Sequence, residues 1–337
     1  MKPLVSILIP AYNAQDWVAD TLRSAISQTW NRKEIIIVDD GSTDRTLEVV
    51  RMFESPSVRI FSQQNQGAAA ARNKAFSLCQ GDYIQWLDAD DLLAPDKVAT
   101  QMRILEECGN DRVLASGAWG SFLCRPKRAE FHPNGLWCDL SPTEWLIRKL
   151  EQNAFLQTAT WLVSRRLTEN AGPWNTSLLG DDDGEYFCRV LLGAESIRFV
   201  PESKVYYRAS GASSLSYIGT SDRKLEAQLR SMELHIRYLQ SLENSERVRA
   251  ACVKYIQDWM VFFYPQRLDL VERLKAMAGQ LGGSVAVPQL SWKYEWIRSL
   301  FGWPLANRAK IVLPGIKWSL LRTWDRTLLA FEARRLS

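Results

Sequence analysis

Glu34-Ile35-Ile36-Ile37-Val38-Asp39-Asp40-Gly41-Ser42-Thr43 is the stretch that decides the fold. Four consecutive branched apolar residues suffice for a strand and leave it no polar face, so the strand is covered on both sides, as strands of parallel sheets are. The run ends in two carboxylates and a Gly-Ser-Thr turn, and a helical pattern follows from Asp44 to Phe53, with Ser42 and Thr43 as candidate caps. The same succession recurs on either side. Val5 to Ile9 precedes a helix from Asp16 to Gln28 whose Trp17, Thr21, Leu22, Ala25 and Ile26 share a face. Val58 to Phe61 precedes a helix from Gly67 to Leu78, and Tyr83 to Leu87 closes the series. Such alternation predicts a doubly wound, mostly parallel sheet whose ligands bind beyond the carboxyl ends of its strands.

After Glu107 the pattern is less regular. Val113 to Cys124, Ala159 to Val163, Ile197 to Val200 and Lys204 to Arg208 read as strands, and Ser141 to Gln152 opens like a capped helix. From about Ser221 long helical patterns take over, with a soft boundary at Gly219 to Asp222 and a Gly-containing break at Gly279 to Pro288. The expected organisation is therefore 1–220, a helical region 221–290 and a tail 291–337. No internal repeat or low-complexity tract is visible.

Composition narrows the class. With 337 residues, 46% hydrophobic and 24% charged, the chain buries at least one large core, which excludes disorder, collagen and a disulfide miniprotein. Lys and Arg number 42 against 38 Asp and Glu, and the resulting +4 is too small an excess to imply nucleic acid. Six cysteines are scattered without a C-x-x-C, and only His132 and His235 exist to join them, so they read as reduced thiols. The amino-terminal apolar stretch stops at Pro10 and Asn13 without a cleavage site, and no apolar run reaches spanning length. The expectation is a cytoplasmic protein that does not cross a bilayer.

Carboxylates crowd the expected ends of two strands: Asp39 and Asp40 after one, Asp88, Asp90 and Asp91 after another. Packed like charges repel unless a cation or ligand compensates them. Hard oxygen ligands on a short loop suit Mg²⁺ or Mn²⁺, which in turn hold a diphosphate. The plain alternative is turn and cap duty, which Asp also favours. The position of this D-x-D after a buried strand, beside a second Asp pair, favours the functional role. No G-x-G-x-x-G follows the first strand and no P-loop occurs, which argues against a nicotinamide enzyme or an NTPase. After that strand stands Pro10-Ala11-Tyr12-Asn13, with an aromatic where a base can stack.

Together these residues resemble a known family. VSILIPAYN, IIIVDDGSTDRT, NQGAAAARN, GDYIQWLDADD and GDDDGEYFCRVLL occur in the order and approximate spacing of family 2 glycosyltransferases, over about residues 3–215. The resemblance implies the GT-A fold, an α/β Rossmann-like mixed sheet flanked by helices, here with a carboxyl-terminal helical extension. It implies an inverting hexosyltransferase-type reaction from a nucleotide-diphosphate sugar, uridine diphosphate being the expected carrier, with Mn²⁺ or Mg²⁺ at the D-x-D. Carried over by position, Ala11, Tyr12, Asp39 and Arg72 hold the nucleotide base, with Pro10, Asn13, Asp40 and Ala89 in the same nucleotide-sugar site. Asp88 and Asp90 match the D-x-D, Asp90 as the direct metal ligand.

An inverting transfer also needs a base that deprotonates the acceptor hydroxyl. Asp181, Asp182, Asp183 and Glu185 precede an apolar helical run. Against the family pattern Glu/Asp-Asp-x-Asp/Glu-x-x-x-Arg the alignment makes Asp183 the base. Gly184 stands where an aromatic is common, and the extra Asp181 leaves Asp182 as the alternative in the neighbouring register. Without the upstream motifs the cluster reads as helix amino-terminal acids. Two further residues are candidates for the acceptor or a closing loop: Trp174 as a stacking platform for a pyranose, and Arg208, preceding Gly211 to Ser216, as a phosphate contact. Core packing and surface exposure are their respective plain alternatives, and neither histidine takes a role.

The tail is distinctive. From Trp292 to Ser337 nine Lys or Arg face three acids, five of the chain's 14 tryptophans occur, and Ile316, Leu320, Trp324, Leu328 and Phe331 follow helical spacing. Such a helix suits an anionic membrane surface, as a peripheral element on the inner face, or packs on the catalytic domain or a second subunit. The expected activity is glycosyl transfer to a saccharide or lipid-linked saccharide acceptor in surface polysaccharide synthesis. The rival is a non-catalytic nucleotide-sugar or glycan-binding protein of the same fold. Nucleic acid is not expected as a partner, and a polymerising synthase generally needs spanning helices.

Overall fold

The computed structural model describes residues 2–209, 221–289 and 291–336. Strands β1 (Val5–Ala11), β2 (Lys33–Asp39), β3 (Val58–Ser62) and β4 (Tyr83–Trp86) run parallel in the order β3-β2-β1-β4, and β8 (Val163–Ser164) adds antiparallel beyond β4. Helices α1 (Val18–Ile26), α2 (Thr46–Arg51) and α3 (Ala68–Leu78) make the crossovers. All of β1 is buried, as a central parallel strand must be. Its alternate residues feed two cores: Leu8 joins Ile36, Val38 and Trp86 on one face, and Ile7 and Ile9 join Ile35 and Ile37 on the other. Each such side chain contributes about 1.5–3 kcal/mol on burial.

A second sheet in the order β5-β9-β6-β7 is formed by β5 (Leu92–Leu93), β9 (Ser196–Arg208), β6 (Val113–Phe122) and β7 (Glu130–Phe131). Helices α4 (Lys97–Cys108), α5 (Pro142–Gln152), α6 (Arg165–Ala171) and α7 (Asp182–Gly193) surround the two sheets. The helices α8 (Asp222–Leu242), α9 (Glu246–Phe263) and α10 (Leu268–Gln280) place Leu229, Met232, Ile256 and Leu274 in the same core cluster as Leu8 and Trp86. The change at about Ser221 is thus one of secondary structure and not of core. Helix α11 (Trp292–Leu336) bends at Gly302 (φ 78°, ψ 174°) and packs Ile297 and Ala306 against Val261 of α9 in a small cluster of its own.

Several expected boundaries move. The strand expected over Ala159 to Val163 begins as a 3-10 turn, Thr158–Thr160, where the Gln157 side chain accepts from Ala159 N at 2.5 Å, and is extended only from Trp161, with Leu162 bridging to Ala115 and Val163–Ser164 forming β8. The two strands expected at Ile197 and Lys204 are the single β9, with a register slip opposite Gly117 and Ala118. A Cβ at Gly117 would run into Ser203, which is why that irregularity carries a glycine. Ser42 and Thr43 do not cap α2: Asp44 does, its Oδ1 accepting from Thr46 N at 2.9 Å. Ile26, expected on the buried face of α1, is 40% exposed. The expected cap on α5 forms, Ser141 Oγ accepting from Glu144 N at 3.3 Å.

Candidate active site

The crevice opens where β4 leaves β1. Their register ends at Leu8 opposite Trp86, and Pro10, which has no N–H to give, lies two residues further on with only Val38 of β2 as its strand neighbour. Ala11 pairs with Asp39, the last residue of β2, and Asp40 N donates to Ala11 O at 2.8 Å. The expected nucleotide-site residues therefore share one rim. They divide by function. Asn13 takes a left-handed φ of 47°, which Asn tolerates, and knots the rim: its Oδ1 accepts from Thr43 N at 2.9 Å and its N donates to Ser42 Oγ at 3.0 Å. Asp40 is saturated by Gln63 Nε2, Gln66 N and Gly67 N at 2.7–3.0 Å, so it anchors the entry to α3 and has no spare oxygen.

Two groups on this rim point to a ligand. Tyr12 is 51% exposed, an aromatic face with nothing on it. Asp39 is buried, its Oδ2 accepts weakly from Ser42 N and Ser62 Oγ at 3.3 Å, and its buried Oδ1 has no hydrogen-bond partner. A buried carboxylate oxygen left unpaired costs about 1–3 kcal/mol, so such an atom calls for a donor from outside the chain.

The three carboxylates after β4 are also distinct. Asp91 is fully buried, accepting from Arg208 N at 2.8 Å and from Gln157 Nε2, and buttresses the loop. Ala89 is held by Thr21, whose Oγ1 donates to its carbonyl at 2.9 Å. Asp88 accepts from Arg72 at 2.8 Å. Among the described residues no other side chain hydrogen-bonds the Asp90 carboxylate, and burial, then the neighbouring Asp88 charge, push it up to about 6. An underpaired carboxylate beside a second one suits a divalent cation, which Mg²⁺-type sites hold with one or two carboxylates plus substrate phosphates. No group of three or more potential protein ligands occurs among the described residues, so the remaining coordination would come from phosphate and water.

Arg72 lies at the centre. It is 6% exposed, donates to Asp88 Oδ1 and Asp182 Oδ2 at 2.8 Å each, and sits 4.3 Å over the Trp174 ring. Burial opposes its charge, but Asp88 and Asp182 outweigh that and raise its pKa. The guanidinium thus ties the D-x-D to the amino terminus of α7, instead of lying open to a base. Trp174 lies beneath it, 2% exposed and stacked on Tyr186 at 4.0 Å. It has no free face for a pyranose, so the platform expectation fails: this tryptophan is core.

The three consecutive aspartates of α7 separate by direction. Asp181, with φ 52°, turns to α8, where Ser231 Oγ donates to it at 2.6 Å and His235 Nε2 lies 3.7 Å away. Asp182 goes to Arg72. Among the described residues Asp183 has no salt bridge; it accepts from Thr158 Oγ1 at 3.2 Å, and burial followed by the Asp182 and Asp181 charges pushes it up to about 6. A carboxyl in that range at neutral pH is ionised yet basic. Arg208, expected to contact phosphate, is 3% exposed, sandwiched between Trp17 (4.2 Å) and Phe122 (4.6 Å), with Nε donating to Asp90 O at 2.9 Å. It stiffens the D-x-D loop from behind. The loop expected from Gly211 to Ser216 lies outside the described residues.

Gln157 and Thr158 carry no functional signal in the sequence, and Tyr207 stands out there only as the neighbour of Arg208. Tyr207, on β9, has its hydroxyl pushed up by burial and then by Asp91, Asp90, Asp88 and Asp183, so it lies near those four carboxylates. No local pattern marks Gln157 or Thr158, because their partners are remote in the chain: Thr158 meets Asp183 25 positions away and Gln157 meets Asp91 66 positions away.

Known proteins resemble this chain in sequence and in fold. The sequence model of glycosyl transferase family 2 matches residues 6–164. The putative teichuronic acid biosynthesis glycosyltransferase TuaG of Bacillus subtilis is 43% identical over 109 residues, 32% of this chain and 43% of that protein. Chondroitin synthase of Escherichia coli is 48% identical over 115 residues, 34% of this chain and 16% of that one. The matches thus span less than half the length of these curated relatives. Among solved structures, S. aureus TarS 1–349 in complex with UDP superposes with a TM-score of 0.60 at 17% identity, covering 92% of this chain and 82% of that one. The mannosyltransferase PcManGT of Pyrobaculum calidifontis in complex with GDP-Man and Mn²⁺ gives 0.53 at 18% identity, covering 93% and 88%. The fold is GT-A, and residues 6–164 resemble glycosyl transferase family 2.

Proposed function

We propose that this chain is an inverting, metal-dependent glycosyltransferase. It moves a hexose from a nucleotide-diphosphate sugar, with uridine as the expected base, to a saccharide or lipid-linked saccharide in surface polysaccharide synthesis. The observation that carries this is that Arg72 ties Asp88 of the D-x-D to Asp182, the neighbour of Asp183, whose carboxyl accepts from Thr158 and has its pKa pushed up to about 6.

On this reading Tyr12 stacks on the base and the unpaired Asp39 Oδ1 accepts from it. Asp90, with Asp88 beside it, holds Mn²⁺ or Mg²⁺, which when bound neutralises charge developing on the diphosphate. Asp183 takes the proton of the acceptor hydroxyl on the face opposite the leaving group. Relatives named for teichuronic acid and chondroitin synthesis and neighbours holding UDP or GDP-Man support the substrate class. The divisions 1–220, 221–290 and 291–337 are kept as catalytic domain, helical region and tail. The tail is our candidate for contact with a membrane that carries the acceptor.

Calorimetric titration with a panel of nucleoside diphosphates and their sugars, with and without Mn²⁺, tests the donor site. The expected result is metal-dependent binding of one nucleotide, lost in Asp90→Ala. Binding of none, by protein shown to be folded, sinks the enzyme reading.

A further inference from the structure

Three consecutive backbone carbonyls, just after Thr158, are gripped by three fully buried polar side chains. Gln85 Nε2 donates to Ala159 O at 2.9 Å, Gln101 Nε2 to Thr160 O at 2.8 Å and Lys97 Nζ to Trp161 O at 3.3 Å. All three donor residues are 0% exposed. Two elements supply them. Lys97 and Gln101 stand four positions apart on α4 and so share a face, and Gln85 lies on β4, three positions before Asp88. The Lys97 ammonium also donates to Gln85 Oε1, which joins α4 to β4 behind the turn.

The backbone explains why donors are needed there. Residues 159–161 form the end of the 3-10 turn and the step after it, outside the paired strands, so their carbonyls have no ladder to enter and each would be costly to bury alone. A lysine is an expensive donor for that purpose. Burial lowers its pKa well below the ordinary range, and among the described residues no salt bridge joins it to an acid. What the grip holds forward is the site itself. Gln157 donates to Asp91 behind the D-x-D, and Thr158 Oγ1 donates to Asp183 Oδ2 at 3.2 Å. One short turn thus touches both carboxylate groups, and its bond to Asp183 is already long for a hydroxyl on a carboxylate. Slight loosening of the turn would lose that bond.

We propose that Lys97, Gln101 and Gln85 are positioning residues for the transfer reaction: by fixing the carbonyls of residues 159–161 they set where Thr158 meets Asp183. This rests on the reading of Asp183 as the base. Gln101→Leu tests it without altering charge. It should lower kcat about tenfold while metal-dependent nucleotide affinity and circular dichroism stay unchanged. The titration midpoint of the Asp183 carboxyl, followed by carbon-13 NMR of aspartate-labelled protein and assigned by its loss in Asp183→Asn, should rise as it does in Thr158→Val. Combining Gln101→Leu with Thr158→Val should raise it no further than Thr158→Val alone. Lys97→Met should repeat the fall in kcat, and if either variant fails to fold the other decides. A folded variant that loses stability in urea but keeps kcat and the Asp183 midpoint overturns the proposal, since the donors then only satisfy carbonyls. So does a rise that adds to that of Thr158→Val. A midpoint that responds as described in a chain that transfers no sugar upholds the positioning and sinks the proposed function instead.

Discussion

Asp183 sets two opposing demands on one carboxyl. Its folded value of about 6 lies above the ordinary one, so its contribution to stability is complete below about pH 4 and is lost as pH rises through 6. Its use as a base requires the charged form, so kcat/KM should rise with pH along a limb of apparent pKa about 6 and level off above it. Asp183→Asn should therefore cut kcat by 10²- to about 10⁴-fold, leave nucleotide affinity unchanged, and raise the melting temperature at pH 7.5 but not at pH 4. Unaltered activity in that variant, with loss in Asp182→Asn, moves the base by one residue. Thr158→Val removes a hydrogen bond to the charged form, and the limb should shift upward; a limb that stays put detaches Thr158 from the base. Arg208 makes the converse case. Buried between two rings with its Nε on the Asp90 carbonyl, it should cost about 3 kcal/mol of stability in urea titration as Arg208→Met, with a smaller change in diphosphate affinity. A tenfold weaker diphosphate at unchanged stability would restore it to a phosphate contact.

At the scale of the element, the amino terminus of α7 explains a departure from the family pattern. The extra Asp181 and the glycine at 184 compensate each other: Asp181 folds back in a left-handed conformation, and a Cβ at Gly184 would collide with its carboxylate. Gly184→Ala should lose about 1–3 kcal/mol, and Asp181→Gly in the same chain should return most of it, read as the coupling term of a double-mutant cycle. Additive effects would mean that the two residues are independent. The strands were legible because each is a run of branched apolar residues closed by a turn, a signal contained within ten positions. The same holds for the Asp39 and D-x-D positions at their ends. What the sequence did not disclose is direction: that Asp40 turns inward to hold the Gln66–Gly67 entry to α3, that Trp174 lies under Arg72, and that Arg208 is buried. Each is decided by residues far away in the chain, and a polar or aromatic residue looks the same in sequence whether it faces a ligand or the core.

On the scale of the molecule, the tail is anchored at two places that differ in kind. The first limb of α11 covers Val261 and Phe262 through Ile297, Ala306 and Trp303, so removing everything from 292 onward exposes apolar surface of α9. The distal limb touches the rim, where Asp325 holds Cys124 N and Arg125 just past the end of β6 and Arg322 holds Ala209 O just past the end of β9. Those strand ends carry Phe122 and Arg208, the residues that stiffen the Asp90 backbone. Two truncations should therefore separate. Deletion of 292–337 should lower the melting temperature by several degrees, because the apolar cover is lost. Deletion of 311–337 keeps that cover and removes the rim contacts, so it should leave the melting temperature nearly unchanged while weakening metal-dependent nucleotide binding about three- to tenfold, the equivalent of about one ordinary hydrogen bond. Asp325→Asn in the full chain should reproduce part of that loss, since Arg125 is then left beside a neutral partner at a largely buried position. Calorimetry on the three proteins decides it: equal affinities throughout would mean that the tail is attached to the catalytic domain without supporting its donor site.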